Sequence, residues 1–215
     1  MAVTKKKVTG KATIDVELVV LRVGDTENGT EYALDTANKI IVEPQIETQD
    51  AIKLIKLGRL LAQKPKKDTI TGHNITLTDN VFTPEIAKVL QGGKVQGTGV
   101  SLTYEPPAAG SGEKGEIFEL DAYSAVYDTA GRIEMYEKIT YPNCQGSPFG
   151  ISSEDNVFRL PEYSITSAPS TGKPPYKISY VSELPVFNDT MVLSMDMEEE
   201  RETLLESKTT ELARK

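Results

Sequence analysis

Apolar residues in this chain fall mostly on alternate positions, the spacing of β-strands, and one short stretch breaks the rhythm with a helical period. Residues 12–20 set Ile14, Val16, Leu18 and Val20 against Thr13, Asp15 and Glu17, as in a strand with one face in water. Residues 39–46 resume that character up to Pro44, and residues 69–77 carry it through Ile70, Ile75 and Leu77, without a fixed phase near Gly72. A helix follows. Thr83 is placed to accept from the first free N–H groups, Pro84 brings a preset φ, Glu85 suits the positive end, and Gly92-Gly93 ends the run. Ile86, Val89 and Leu90 at i, i+3 and i+4 give this helix one apolar face to lay flat on a sheet.

The remaining segments read less evenly. Residues 24–38 (GDTENGTEYALDTAN) form a polar stretch too long for a hairpin turn, and are read as a functional or mobile loop. Residues 51–63 are ambiguous: Ile52, Ile55 and Leu60/Leu61 fit a helical face, whereas the turn at residues 64–68 followed by a further strand favours strand, the reading adopted. Residues 95–104 read as a strand weakened by Gly97 and Gly99, followed by an exposed loop over 105–115. Residues 116–127 and 132–141 are paired strands around the turn Asp128-Thr129-Ala130-Gly131. A second pair is expected between residues 156–167 and 175–181, around residues 170–174. The pattern is mainly β with one short helix.

Two parts are expected: a β domain over 1–185 and an acidic extension over 186–215, which holds eight acids against four bases and only Leu204, Leu205 and Leu212 beyond residue 197 to bury. Such a segment cannot build its own core, so it is expected to dock on a neighbouring subunit or project outward. The whole chain of 215 residues carries 32 acids and 24 bases, a net charge of −8, which gives no global attraction for nucleic acid or anionic membranes. Lys5-Lys6-Lys7 reads as a solvated arm. No apolar run reaches the roughly 18 residues needed to span a bilayer, and MAVTKKKVTG lacks the apolar region of a signal peptide, so a cytoplasmic site of synthesis is expected.

Candidate chemistry is sparse. His73 is the only histidine and has no cysteine near it, so it reads as a strand-surface residue rather than a zinc ligand or base. Cys144, the only cysteine, lies in YPNCQG, a turn-like string, and reads as a small half-buried residue rather than a nucleophile. Glu119 and Asp121 share a strand face that suits a cation in principle, but a solvated or lumen-lining face explains them better; Glu154-Asp155 is a further acidic pair. Tyr123, Tyr127, Tyr136 and Tyr141 lie among acids, which favours cross-strand packing over stacking on nucleic acid. No phosphate loop, dinucleotide fingerprint, HExxH or EF-hand string is present.

Three strings taken together, TITGHNITLTDNVFTPEIAKVLQGGKV, FELDAYSAVYDTAGRIEMYEKITYPNCQG and VFRLPEYSITSAPSTGKPPYKISYV, resemble the major tail tube proteins of phages of Gram-positive bacteria and of related phage-tail-like bacteriocins, over residues 40–184. The resemblance implies a β-sandwich with one flanking helix, rings of six whose inner sheets join into a continuous β-barrel, and stacked rings forming a hollow conduit. It implies other copies, tape-measure and terminator proteins as partners, DNA passing through the lumen without specific binding, and no membrane contact. It implies no catalytic, cofactor-binding or metal residues, and a place in a virion tail or a bacteriocin particle. In that family the long loop after the second strand reaches the next ring, and residues 24–38 match its location approximately. A β-sandwich module that recognises carbohydrate or a surface protein is the alternative, distinguished by its failure to polymerise.

Overall fold

The computed structural model describes residues 11–24, 29–97, 101–150 and 154–187. The alternating segments become antiparallel ladders, and the one helical stretch becomes a helix. In chain order these are β1 (Thr13–Val23), β2 (Thr30–Leu34), β3 (Ala37–Gln49), β4 (Ile52–Lys56), β5 (Arg59–Lys64), β6 (Lys67–Asp79), α1 (Pro84–Gln91), β7 (Lys94–Gln96), β8 (Thr103–Glu105), β9 (Ile117–Tyr127), β10 (Ile133–Gly146), β11 (Glu162–Ser167) and β12 (Lys177–Val181). Eight strands make one sheet in the order β2-β1-β9-β10-β11-β6-β3, with β12 also on β10, while β4-β5 and β7-β8 are separate hairpins.

This sheet folds over itself. β3, at one end of the strand order, approaches β1 near the other end. Val19, Leu21 and Leu34 from one half share a core with Ile75, Leu77, Tyr163 and Ile165 from the other, joined by Phe118 and Leu120 and flanked by Ile40 and Val42. The result is a mainly β fold with one short helix, whose halves face each other as in a sandwich although they belong to one continuous sheet.

The bend is localised in β10. Its residues 136–140 pair with β12, whereas Cys144 to Gly146 pair with β11. Between them one extra residue is inserted against β9, between Tyr141 and Cys144, and Asn143 adopts φ +47°. The Asn143 side-chain amide donates to Ala168 O at 3.1 Å and Ser170 Oγ at 2.9 Å, and Ser167 Oγ donates to Pro142 O at 2.9 Å, so the irregularity is tied down from both sides. YPNCQG is therefore a bulge inside a long strand and not the end of one.

Helix α1 buries Ile86, Ala87, Val89 and Leu90, as its spacing predicts. Thr83 has extended backbone at the N-cap but no side-chain capping bond; its carbonyl accepts from Ala87 N at 3.1 Å. Gly92, at φ +84°, stops the helix. The helix lies so close to the sheet that a Cβ on Gly146 would come within 2.5 Å of Leu90 O.

Five expectations are corrected. Residues 24–38 are not one long loop: β2 pairs with β1 from Val19↔Leu34 to Val23↔Thr30, with Tyr32 and Leu34 turned to the core, so the connection shrinks to residues 24–29, of which 25–28 lie outside the described residues. β1 has no fully wet face; a bulge after Ile14, with Asp15 at φ +65°, lets Val19 and Leu21 enter the main core while Leu18 and Val20 pack on the opposite face with Tyr123 beneath Val181, Leu184 and Phe187. Residues 95–104 are not one strand but belong to the small β7-β8 hairpin. β11 and β12 do not pair with each other, because both take the same edge of β10 end to end. The strand reading of 51–63 holds, but the reversal lies at Leu57-Gly58 between β4 and β5. Of the acidic extension, only residues 186 and 187 are among those described.

Leu90 is 1% exposed and faces glycines that cannot move to fill a void. Leu90→Ala is expected to destabilise the fold by about 2–5 kcal/mol, read as a lower denaturation midpoint at unchanged slope.

Candidate assembly surface

The β3-β6 ladder has two unlike ends. Near Ala37 and Asp79 it carries Ile40, Val42, Ile75 and Leu77 into the core, but every residue from 46 to 71 is exposed. This part is a two-stranded ribbon leaving the body, extended by the β4-β5 hairpin. It displays Ile46, Ile52, Leu54, Ile55, Leu57, Leu60, Leu61 and Ile70, all as exposed large apolar side chains. So many exposed large apolar side chains in one stretch make this ribbon the candidate interaction surface. Its charged positions are mostly basic: Lys53, Lys56, Arg59, Lys64, Lys66 and Lys67 against Glu47, Asp50 and Asp68, a net of +3 in a chain of net −8.

The ribbon is built as a ribbon should be. Lys56 pairs with Arg59 around a two-residue turn in which Leu57 and Gly58 both take positive φ, +51° and +74°. Glycine tolerates that conformation; a branched leucine does not do so freely, and here it holds a side chain 93% exposed at the tip. Thr48 Oγ1 donates to Asp68 Oδ1 at 2.7 Å across the ladder, and this bond, helped by Lys66, holds the Asp68 carboxyl below its usual range. Pro44 lies on β3, an outer edge where no sheet donor is missed.

On the face away from the main core, Glu119 and Asp121 do lie together, but they are not simply solvated. Arg22 Nε donates to Glu31 Oε1 at 2.6 Å, Nη1 to Glu119 Oε1 at 2.8 Å and Nη2 to Asp121 Oδ2 at 3.4 Å. Lys138 Nζ reaches Asp121 Oδ2 at 2.6 Å, and Thr140 Oγ1 donates to Asp121 Oδ1 at 2.5 Å. Asp121 is 1% exposed, so its charge is tolerated only through these partners. The bond to Glu31 chiefly raises the Arg22 guanidinium; burial alone would lower the Lys138 ammonium, but Asp121 and Tyr123 together outweigh it. This lattice links β2, β1, β9 and β10 and engages the Asp121 carboxylate through Arg22, Lys138 and Thr140. The signal for it was present as charges at matching cross-strand positions, which become informative only when the register is known.

His73 is buried, not on the surface. It stands edge-on between Tyr141 at 5.3 Å and Tyr176 at 5.5 Å, its Nδ1 without a hydrogen-bond partner, and burial lowers its pKa below the usual 6.5. Tyr141 thus packs with His73 on the core side, while Tyr123 packs with Leu18 and Val20 on the other, so the strand tyrosines do not form one stack. Cys144 is fully buried and its thiol is pushed up to about 12 by burial, which removes it from nucleophilic chemistry at neutral pH.

No family model matches the chain, and no curated protein sequence matches it. Among solved structures it is similar to a chain of the PVC sheath-tube complex of an extracellular contractile injection system in the extended state, at 15% identity over 79% of this chain and 92% of that one, TM-score 0.34. It is similar to the tube-terminating cap of the anti-feeding prophage, at 13% identity over 83% and 99%, TM-score 0.38, and to a chain of the anti-feeding prophage baseplate, at 6% identity over 83% and 98%, TM-score 0.32.

Two outcomes follow from the buried groups. Asp121→Asn is expected to destabilise by about 2–3 kcal/mol in chemical denaturation, somewhat less than a sealed pair because Arg22 keeps its two glutamates. For His73, the unfolded chain takes up its proton first as pH falls, so stability conferred above about pH 6.5 is expected to decline below it. His73→Phe should flatten that part of the stability–pH curve.

Proposed function

We propose that this chain is a structural subunit of a phage-type tail tube, assembling as rings of six that stack into a hollow conduit for DNA or, in a bacteriocin, for a membrane-permeabilising particle. The observation that carries this reading is the ribbon over residues 46–71. Two strands with no third neighbour and no core are marginal in water, so a ribbon of this length with eight apolar side chains is explained by a partner surface. Strands β2 and β3 are outer edges of the sheet, and a ring of subunits satisfies such edges by closure. The tail-tube strings noted in the sequence agree with this role, which is non-enzymatic and uses no cofactor or metal.

The β domain over 1–185 supplies the ring wall in this reading, with tape-measure and terminator proteins at the ends of the tube. The acidic extension over 186–215 lies outside the channel, where Leu204, Leu205 and Leu212 find a groove and the glutamates stay in water. An acidic lumen lets DNA pass without counterion release. The bridging role expected for residues 24–38 does not carry over unchanged, because Tyr32 and Leu34 belong to the core.

Analytical ultracentrifugation at high concentration and negative-stain microscopy test the proposal, with rings or tubes expected. Replacing residues 50–66 by Asn-Gly joins Gln49 to Lys67, which already face each other, through a two-residue turn. That variant is expected to keep its denaturation midpoint and to remain a monomer. Unmodified protein that stays monomeric and compact at every concentration would point to a binding module instead.

A further inference from the structure

The body of the protein presents a second exposed apolar patch, far from the ribbon. In the segment 154–162, Val157, Phe158 and Leu160 are exposed, Phe158 at 93%, and Val81 nearby in sequence to β6's end is exposed as well. Asp79 N donates to Pro161 O at 3.0 Å, and the Arg159 guanidinium lies 5.6 Å from the Phe82 ring, which anchors this segment at the body end of β6. Its charge is the reverse of the ribbon's: Glu154, Asp155 and Glu162 against Arg159.

We propose that the ribbon tip around Leu57 docks on the 154–162 segment of a second copy of this chain, a contact that rests on the tube reading and names the surfaces it uses. Three features select this occupant. The tip is apolar and basic, the segment apolar and acidic, so burial and charge agree. Two ribbons of net +3 repel, which disfavours tip-to-tip pairing. The two surfaces sit at opposite ends of β6, about 40 Å apart along its 13 residues, so one subunit cannot satisfy both itself. Each copy then donates a tip and accepts one, a head-to-tail contact that closes into a ring or extends into a filament and does not stop at a twofold dimer.

The positive φ at Leu57 acquires a purpose in this arrangement: it places an apolar side chain at the point of the hairpin, where a turn usually carries asparagine or glycine.

Charge reversal tests the contact. Lys53→Glu/Lys56→Glu/Arg59→Glu reverses the tip, and Glu154→Lys/Asp155→Lys/Glu162→Lys reverses the acceptor; all six positions are exposed, so the fold tolerates both sets. Each variant alone is expected to assemble at least about tenfold more weakly by ultracentrifugation, and an equimolar mixture to recover assembly, because each then supplies the complement of the other. Assembly unchanged in the single variants, or not recovered in the mixture, overturns the contact. Leu57→Cys/Phe158→Cys gives a readout independent of tubes, since Cys144 is buried and unreactive: mild oxidation is expected to yield a ladder of disulfide-linked multimers. A dimer from Leu57→Cys alone would overturn the head-to-tail geometry. Multimers without rings or tubes would leave this contact standing and remove the tube, whereas tubes without that ladder would remove this contact alone.

Discussion

A single sheet of eight strands has no second layer to cover it, so it can bury a core only by bending until its own halves meet. That requirement governs this molecule, and β10 meets it. A flat β10 would hold β9 on one edge and one partner on the other, leaving β11, β6 and β3 in the same plane as β1. The extra residue between Tyr141 and Cys144 turns the strand, hands its free edge from β12 to β11, and swings β6 and β3 over Val19 and Leu21. Helix α1 then packs where Gly146 gives it close approach, directly after the bulge. Small residues at that point are a consequence of the bend as much as of the helix.

The opposite face of β1, β9 and β10 is stabilised by different means. Among the described residues, Leu18, Val20 and Tyr123 are covered by Val181, Leu184 and Phe187. Beside it, the Arg22–Asp121–Lys138 lattice ties neighbouring strands laterally. A lattice of this kind contributes little as isolated surface pairs, but Asp121 makes it directional: its buried carboxylate is satisfied only when β1, β9 and β10 are in register, so a slip by one residue would strand a charge. Specificity of register, more than net stability, is what these ions supply.

How much of this was legible depended on whether the signal was local. The helix announced itself through Thr83-Pro84 and Gly92-Gly93, and the β9-β10 pair through its Asp128–Gly131 turn, where Asp128 accepts from Ala130 N and Arg132 N. β2 was hidden because only Tyr32 and Leu34 mark its inner face among polar residues. β11 and β12 were wrongly joined because adjacency in sequence is a weak guide when a long strand offers one edge to two partners. His73 sits between Gly72 and Asn74, neighbours that suggest solvent; what surrounds it are Tyr141 and Tyr176, edge-on at 5.3 and 5.5 Å, which come from strands and loops distant in sequence. The exposed ribbon was the least legible part. Apolar periodicity at residues 51–63 reports a face that avoids water, without stating whether the protein's own core or another molecule covers it.

That ambiguity has a physical side for the protein too. An exposed apolar ribbon with free edges invites indiscriminate strand pairing, and the ribbon carries residues that restrain it. Six bases on the ribbon keep equal ribbons apart, Pro44 interrupts the outer edge of β3 close to where the ribbon leaves the body, and the two-residue turn fixes the register of the tip. In the proposed contact, like charge between donors, together with opposite charge on the acceptor, separates productive contact from aggregation without any moving part. Under the proposed contact, subunits of one sequence stay apart until donor and acceptor surfaces meet in the correct order, and β6, running from the ribbon at Lys67 to the acidic segment's anchor at Asp79, gives that order a direction.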